Sequence, residues 1–95
     1  PIAENQTDQA FYRAVESLPQ SFCGVSTKEE STLDGFKRSY IGDSWVLIRF
    51  SGTESKVRLY FESPLKGVFQ EMLSWAKTIK GVLQTKRSIP KKEGS

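Results

Sequence analysis

One stretch constrains the fold of this 95-residue chain more than any other: two strand-like runs held apart by a short polar turn. Trp45-Val46-Leu47-Ile48 is almost wholly apolar, the pattern of a strand that lies centrally in its sheet. Val57-Arg58-Leu59-Tyr60-Phe61 alternates instead, so Val57, Leu59 and Phe61 share a buried face while Arg58 and Tyr60 point the other way. Between the runs, Arg49-Phe50-Ser51-Gly52-Thr53-Glu54-Ser55-Lys56 supplies hydroxyls, a glycine and a flanking arginine, with Arg58 just beyond. Neighbouring strands joined by so short a turn pair antiparallel.

The rest of the chain reads as the scaffold for that turn. Residues 1–6 are polar and read as a frayed start cut from a longer chain. Thr7 or Asp8 can cap a helix whose apolar face is Ala10, Phe11, Ala14, Val15 and Leu18, and Pro19 ends it. Ser21, Cys23-Gly24 and Ser26 read as a loop. Asp34-Gly35 is a two-residue turn signal that makes a hairpin of 29–33 and 36–41, and Gly42-Asp43-Ser44 is the next turn. Ser63-Pro64 opens a second helix, with serine as the cap and proline at the first helical position. Its apolar stripe runs from Leu65 through Met72 and Ala76 to Val82 and Leu83. Met72 and Trp75 belong to that stripe as core residues, with no cofactor role. Residues 86–95 form a basic tail expected to be disordered. The order helix, hairpin, two strands, helix predicts a two-layer α+β domain over 7–85. It would hold an antiparallel sheet of about four strands with two helices on one face.

Composition narrows the function. The chain is long enough for one domain with a single modest core. One cysteine rules out an intrachain disulfide, and with no histidine the usual zinc sites and every Ser-His-Asp arrangement go too. Cys23 reads as a small apolar filler, since a catalytic thiol needs a base partner. An intracellular, reducing compartment fits, and no apolar run is long enough to span a bilayer. The net charge of +3 is mild and sits partly in Lys86-Arg87 and Lys91-Lys92, without interleaved aromatics, so nucleic acid is a poor partner.

The turn chemistry points to an anion, and to phosphate before others. Gly52 tolerates positive φ and lets successive N–H groups converge on a ligand, with Ser51 and Thr53 adding hydroxyl donors. Arg49 and Arg58 supply planar forks that match phosphate oxygens. The plainer alternative is a hairpin loop whose hydroxyls bond their own backbone while the arginines solvate strand ends.

The segments Asp34-Gly35-Phe36-Lys37, Arg49-Phe50-Ser51-Gly52-Thr53-Glu54 and Lys56-Val57-Arg58 together resemble the C-terminal domain of the α-D-phosphohexomutases, the phosphoglucomutase and phosphomannomutase family. The family loop has proline where this chain has Ser55. The resemblance spans roughly residues 5–85 and implies a TATA-binding-protein-like α+β arrangement. It also implies that the parent enzyme interconverts hexose 1-phosphate and hexose 6-phosphate through a bisphosphate, using a phosphoserine and Mg2+ held by other domains. No catalytic residue, metal or cofactor is then expected here, and the isolated domain is expected to be inactive. Arg49, Ser51, Gly52 and Thr53, helped by Arg58, would hold the non-reacting phosphate of the substrate. The expected partners are the hexose phosphate and the three other domains, in the cytoplasm, without membrane or nucleic acid. The alternative is a free-standing, non-catalytic module for phosphorylated ligands.

Overall fold

The computed structural model describes residues 2–33, 35–50, 56–79 and 82–86. The chain runs α1 (Ile2–Ser17), β1 (Ser21–Phe22), β2 (Val25–Ser31), β3 (Phe36–Tyr40), β4 (Ser44–Phe50), β5 (Val57–Glu62), α2 (Lys66–Lys77) and β6 (Val82–Lys86). The strands form one six-stranded sheet in sequence order. β1 to β5 pair antiparallel, each with the next, and β6 returns parallel to β5. The fold is the expected α+β arrangement with β4 inside the sheet, although the described residues form six strands rather than about four.

Period-two alternation in β4 and β5 builds the core. Val46 and Ile48 from β4 and Val57, Leu59 and Phe61 from β5 are fully buried. They meet Ala14 and Leu18 of the α1 segment and Val68, Met72, Trp75 and Ala76 of α2, so both helices cover the same face. Trp75 Nε1 donates to Ser17 Oγ at 2.9 Å and ties the helices together. The opposite face carries Lys37, Ser39, Trp45, Leu47, Arg49, Arg58, Tyr60 and Glu62, none of them buried. Among the described residues, no helix is long and apolar enough to cross a membrane.

Four local expectations are corrected. α1 begins at Ile2, ahead of the Thr7-Asp8 cap. Residues 21–26 are not an open loop but the β1–β2 hairpin, whose Cys23 and Gly24 both have positive φ (48° and 79°), the conformation that matches strand twist. Ser63 does not cap α2; the cap position is Leu65, and no side chain bonds there. Ser63 Oγ instead hydrogen-bonds Ser44 Oγ at 2.8 Å and accepts from the Leu65 N–H at 3.0 Å, stapling the strand ends. The α2 stripe stops at Lys77, and Val82–Lys86 is strand rather than helix, because the open edge of β5 offers a full ladder.

Candidate functional site

The register of β4 and β5 brings the two arginines together. Phe50 pairs with Val57, Arg49 with Arg58 and Ile48 with Leu59, so the ladder closes at the Phe50–Val57 pair, where the turn joins the two strands. Directly opposed residues share a face, with Cβ atoms about 4.5–5.5 Å apart. Arg49 and Arg58 therefore start side by side on the helix-free face, at the mouth of the turn, each half-buried. Guanidinium groups rooted this way can make charge-assisted contacts with an anion. Ser51, Gly52 and Thr53, the remaining expected ligands, lie outside the described residues.

Across the same face the next row is Lys37, Leu47 and Tyr60. Lys37 is exposed, with its Nζ 5.0 Å from the centre of the Trp45 ring, a cation–π contact that holds the ammonium over the sheet. The Lys37 ammonium is thus held toward Trp45, away from the arginine row, at the end of the face where Glu62 lies opposite Trp45. An open cleft of about 380 Å³ lies at that far end, lined by Lys28, Glu29, Ser39, Asp43 and Trp45 among others, and takes no part in the arginine pair.

Two contacts made through tertiary packing support the site. Phe50, on the helix side of β4, stacks on Phe11 of α1 with ring centres 4.8 Å apart and planes 19° apart. This pins the last residue of β4 to the helix. Gly35, in the β2–β3 turn, approaches the backbone of Ile48 and Arg49 more closely than any side chain allows. Phe11 was readable only as one more apolar position and Gly35 only as turn chemistry; their contacts depend on tertiary packing. Among the described residues, no group of three or more His, Cys, Asp or Glu side chains could hold a metal ion.

An antiparallel ladder that sets Arg49 opposite Arg58 at the end of β4 and β5 belongs to an α+β domain, and sequence comparison gives its family. Residues 4–72 match the family described as "Phosphoglucomutase/phosphomannomutase, C-terminal domain", and the chain belongs to that family. It is 36% identical over 64 residues to a phosphopentomutase of Thermococcus kodakarensis, a match covering 67% of this chain and 14% of that protein. It is also 36% identical over 63 residues to a probable phosphoglucosamine mutase of Methanobrevibacter smithii, covering 65% of this chain and 14% of the relative. The chain thus corresponds to a small part of the curated relatives it matches. No solved structure matches it.

Proposed function

We propose that this domain is the phosphate grip of a sugar-phosphate mutase. Arg49, Ser51, Gly52 and Thr53, with Arg58 beside them, hold the phosphate that is not being transferred. The observation that carries the reading is the Arg49–Arg58 pairing across β4 and β5 at the base of the turn. Two planar guanidinium groups rooted opposite each other on adjacent strands suit a tetrahedral dianion, which can accept from both forks at once. Holding the remote phosphate orients the sugar, so that its other end meets the reacting group in line; binding energy far from the chemistry becomes positional advantage. In a reaction that passes through a bisphosphate, a grip indifferent to which phosphate it holds serves both half-reactions.

On this reading the transferred group, a phosphoserine and its Mg2+ belong to other domains of a cytoplasmic parent enzyme, and this domain alone has no turnover. The relatives' names refer to a pentose and an amino-sugar substrate, which supports a sugar phosphate as the ligand class; the hexose forms follow from the family. A free-standing phospho-ligand module would use the same grip.

The test is a 1H–15N titration of the domain with inorganic phosphate and with glucose 1-phosphate. Amides of Ser51, Gly52, Thr53 and Glu54 should shift with both ligands at millimolar concentration, and Arg49→Ala should remove the response. Ser55→Pro, which restores the family's stiffer loop, should tighten binding. If neither the wild-type domain nor Ser55→Pro responds to either ligand, the grip reading fails for this chain.

A further inference from the structure

The β2–β3 turn lies against the strand that carries Arg49. Gly35 has φ +89°, and a Cβ built on it would overlap the Ile48 carbonyl oxygen and stand 2.8 Å from Arg49 Cβ and 3.1 Å from Arg49 Cα. Two of these three atoms are backbone and the third is the first atom of the arginine side chain. None can swing away as the end of a flexible side chain could. Any residue larger than glycine must therefore push the turn off β4 or push Arg49 out of line with Arg58. The neighbouring pairs are fixed: Phe36 opposes Ile48, and Ile48 in turn opposes the fully buried Leu59. On the other side of Arg49, Phe50 is held by its stack on Phe11. The residue between them has little room to relax except by moving its own side-chain root.

We propose that Gly35 is a positioning residue for the anion site: its missing side chain lets the β2–β3 turn seat directly on Arg49 and fixes where the Arg49 guanidinium begins. This rests on the reading of Arg49 as a phosphate ligand. It goes beyond that reading in assigning a role to a turn distant in sequence that touches no ligand. The structure supplies its own control. Gly42, in the β3–β4 turn, has the same φ of +89°, but a Cβ there would meet only Leu65 Cδ1, at 3.8 Å. Alanine carries the same left-handed backbone strain at both positions. Only at position 35 does it also collide with the arginine strand.

The experiment compares Gly35→Ala, Gly42→Ala, Arg49→Ala and the double variant Gly35→Ala/Arg49→Ala, each read by two-dimensional NMR without ligand and by phosphate titration. Without ligand, Gly35→Ala should move the Ile48, Arg49 and Arg58 amides and the Arg49 Nε–Hε signal, and Gly42→Ala should leave them in place. Misplacement of a ligating group by about 1 Å can cost up to about a hundredfold. Gly35→Ala should accordingly weaken phosphate binding about tenfold or more, Gly42→Ala should not, and Gly35→Ala should add nothing once Arg49 is gone. Losses that add, or phosphate binding by Gly35→Ala equal to wild type, overturn the proposal. If Gly35→Ala does not fold, Gly35→Asn tests the same collision in a residue that adopts positive φ more readily. If the wild-type domain binds no phosphate, the grip reading fails, and the ligand-free Arg49 signals alone decide whether Gly35 positions Arg49.

Discussion

At position 23 a cysteine sits at φ 48° in the tight β1–β2 turn, and one carboxylate closes the turn from outside. Glu71 of α2 accepts the Cys23 backbone N–H through Oε1 at 3.0 Å and the thiol through Oε2 at 3.1 Å. The thiol is thus exposed rather than the buried filler its apolar neighbours suggest. Its pKa lies above the usual value, first because the hydrogen bond to Glu71 holds the proton, then through partial desolvation and the adjacent negative charge. Since the thiolate is the nucleophile, this thiol is slow despite its exposure. Glu71→Gln removes the charge and supplies a donor, so thiolate should form at lower pH in that variant. Alkylation of Cys23 by iodoacetamide at pH 8, read by intact mass, should run several-fold faster in Glu71→Gln than in wild type. An unchanged or slower rate would show that Glu71 does not govern the thiol.

At the scale of elements, the join between α1 and the sheet is polar and buried. Arg38, on the helix-facing side of β3 and nearly buried, donates through Nη1 to the Leu18 carbonyl at 2.9 Å and the Pro19 carbonyl at 3.3 Å. Its Nε pairs with Glu30 Oε2 at 2.8 Å, which offsets the cost of burying the cation. Tyr40, two residues on and so on the same face, donates its hydroxyl to Pro19 O at 2.7 Å. These bonds satisfy carbonyls just past the end of α1, where a cation also suits the helix dipole. Burial pushes the Tyr40 phenol up from 10.0 to about 12; Arg38 opposes the shift and Glu30 adds to it. The unfolded chain then releases this proton near pH 10 and the folded chain near pH 12. Its stabilising contribution is complete below pH 10 and is lost as the pH climbs through that window. Urea unfolding at pH 9 and pH 11 should show wild type losing on the order of 1–2 kcal/mol more than Tyr40→Phe, which cannot ionise there. Equal losses in both proteins would mean that the phenol is not held neutral by the fold.

For the molecule as a whole, the sequence spoke clearly where one periodicity ruled and was silent where two competed. Val57, Leu59 and Phe61 inward with Arg58 and Tyr60 outward comes from alternation, whereas Trp45–Ile48 is apolar throughout, so only the structure shows that Val46 and Ile48 turn inward and Arg49 joins the face of Arg58. The β1 strand, two residues long, is too brief to carry a pattern. Gly35 against Arg49 is a contact between segments whose approach no local rule encodes. The end of α2 misleads for a physical reason. Ile79, Val82 and Leu83 continue the helical spacing of Met72 and Ala76, yet the chain leaves the helix at Thr78, whose N–H and hydroxyl both bond Trp75 O, at 3.0 and 2.7 Å. β6 then pairs residue for residue with β5, from Val57↔Val82 to Phe61↔Lys86, so tertiary pairing overrides the local preference. Proline scanning separates the two architectures. In a helix interior every proline removes a bond and clashes with the turn before it, at about 3 kcal/mol or more. In an edge strand, N–H groups point alternately to the partner and to solvent, and proline is tolerated where the N–H faces out. Gln84→Pro and Thr85→Pro, neighbours in β6 and so opposite in that alternation, should therefore differ sharply: one variant losing a ladder hydrogen bond and about 1–3 kcal/mol in urea unfolding, the other close to wild type. Two equally large losses would restore the long helix; two negligible ones would remove β6 from the sheet.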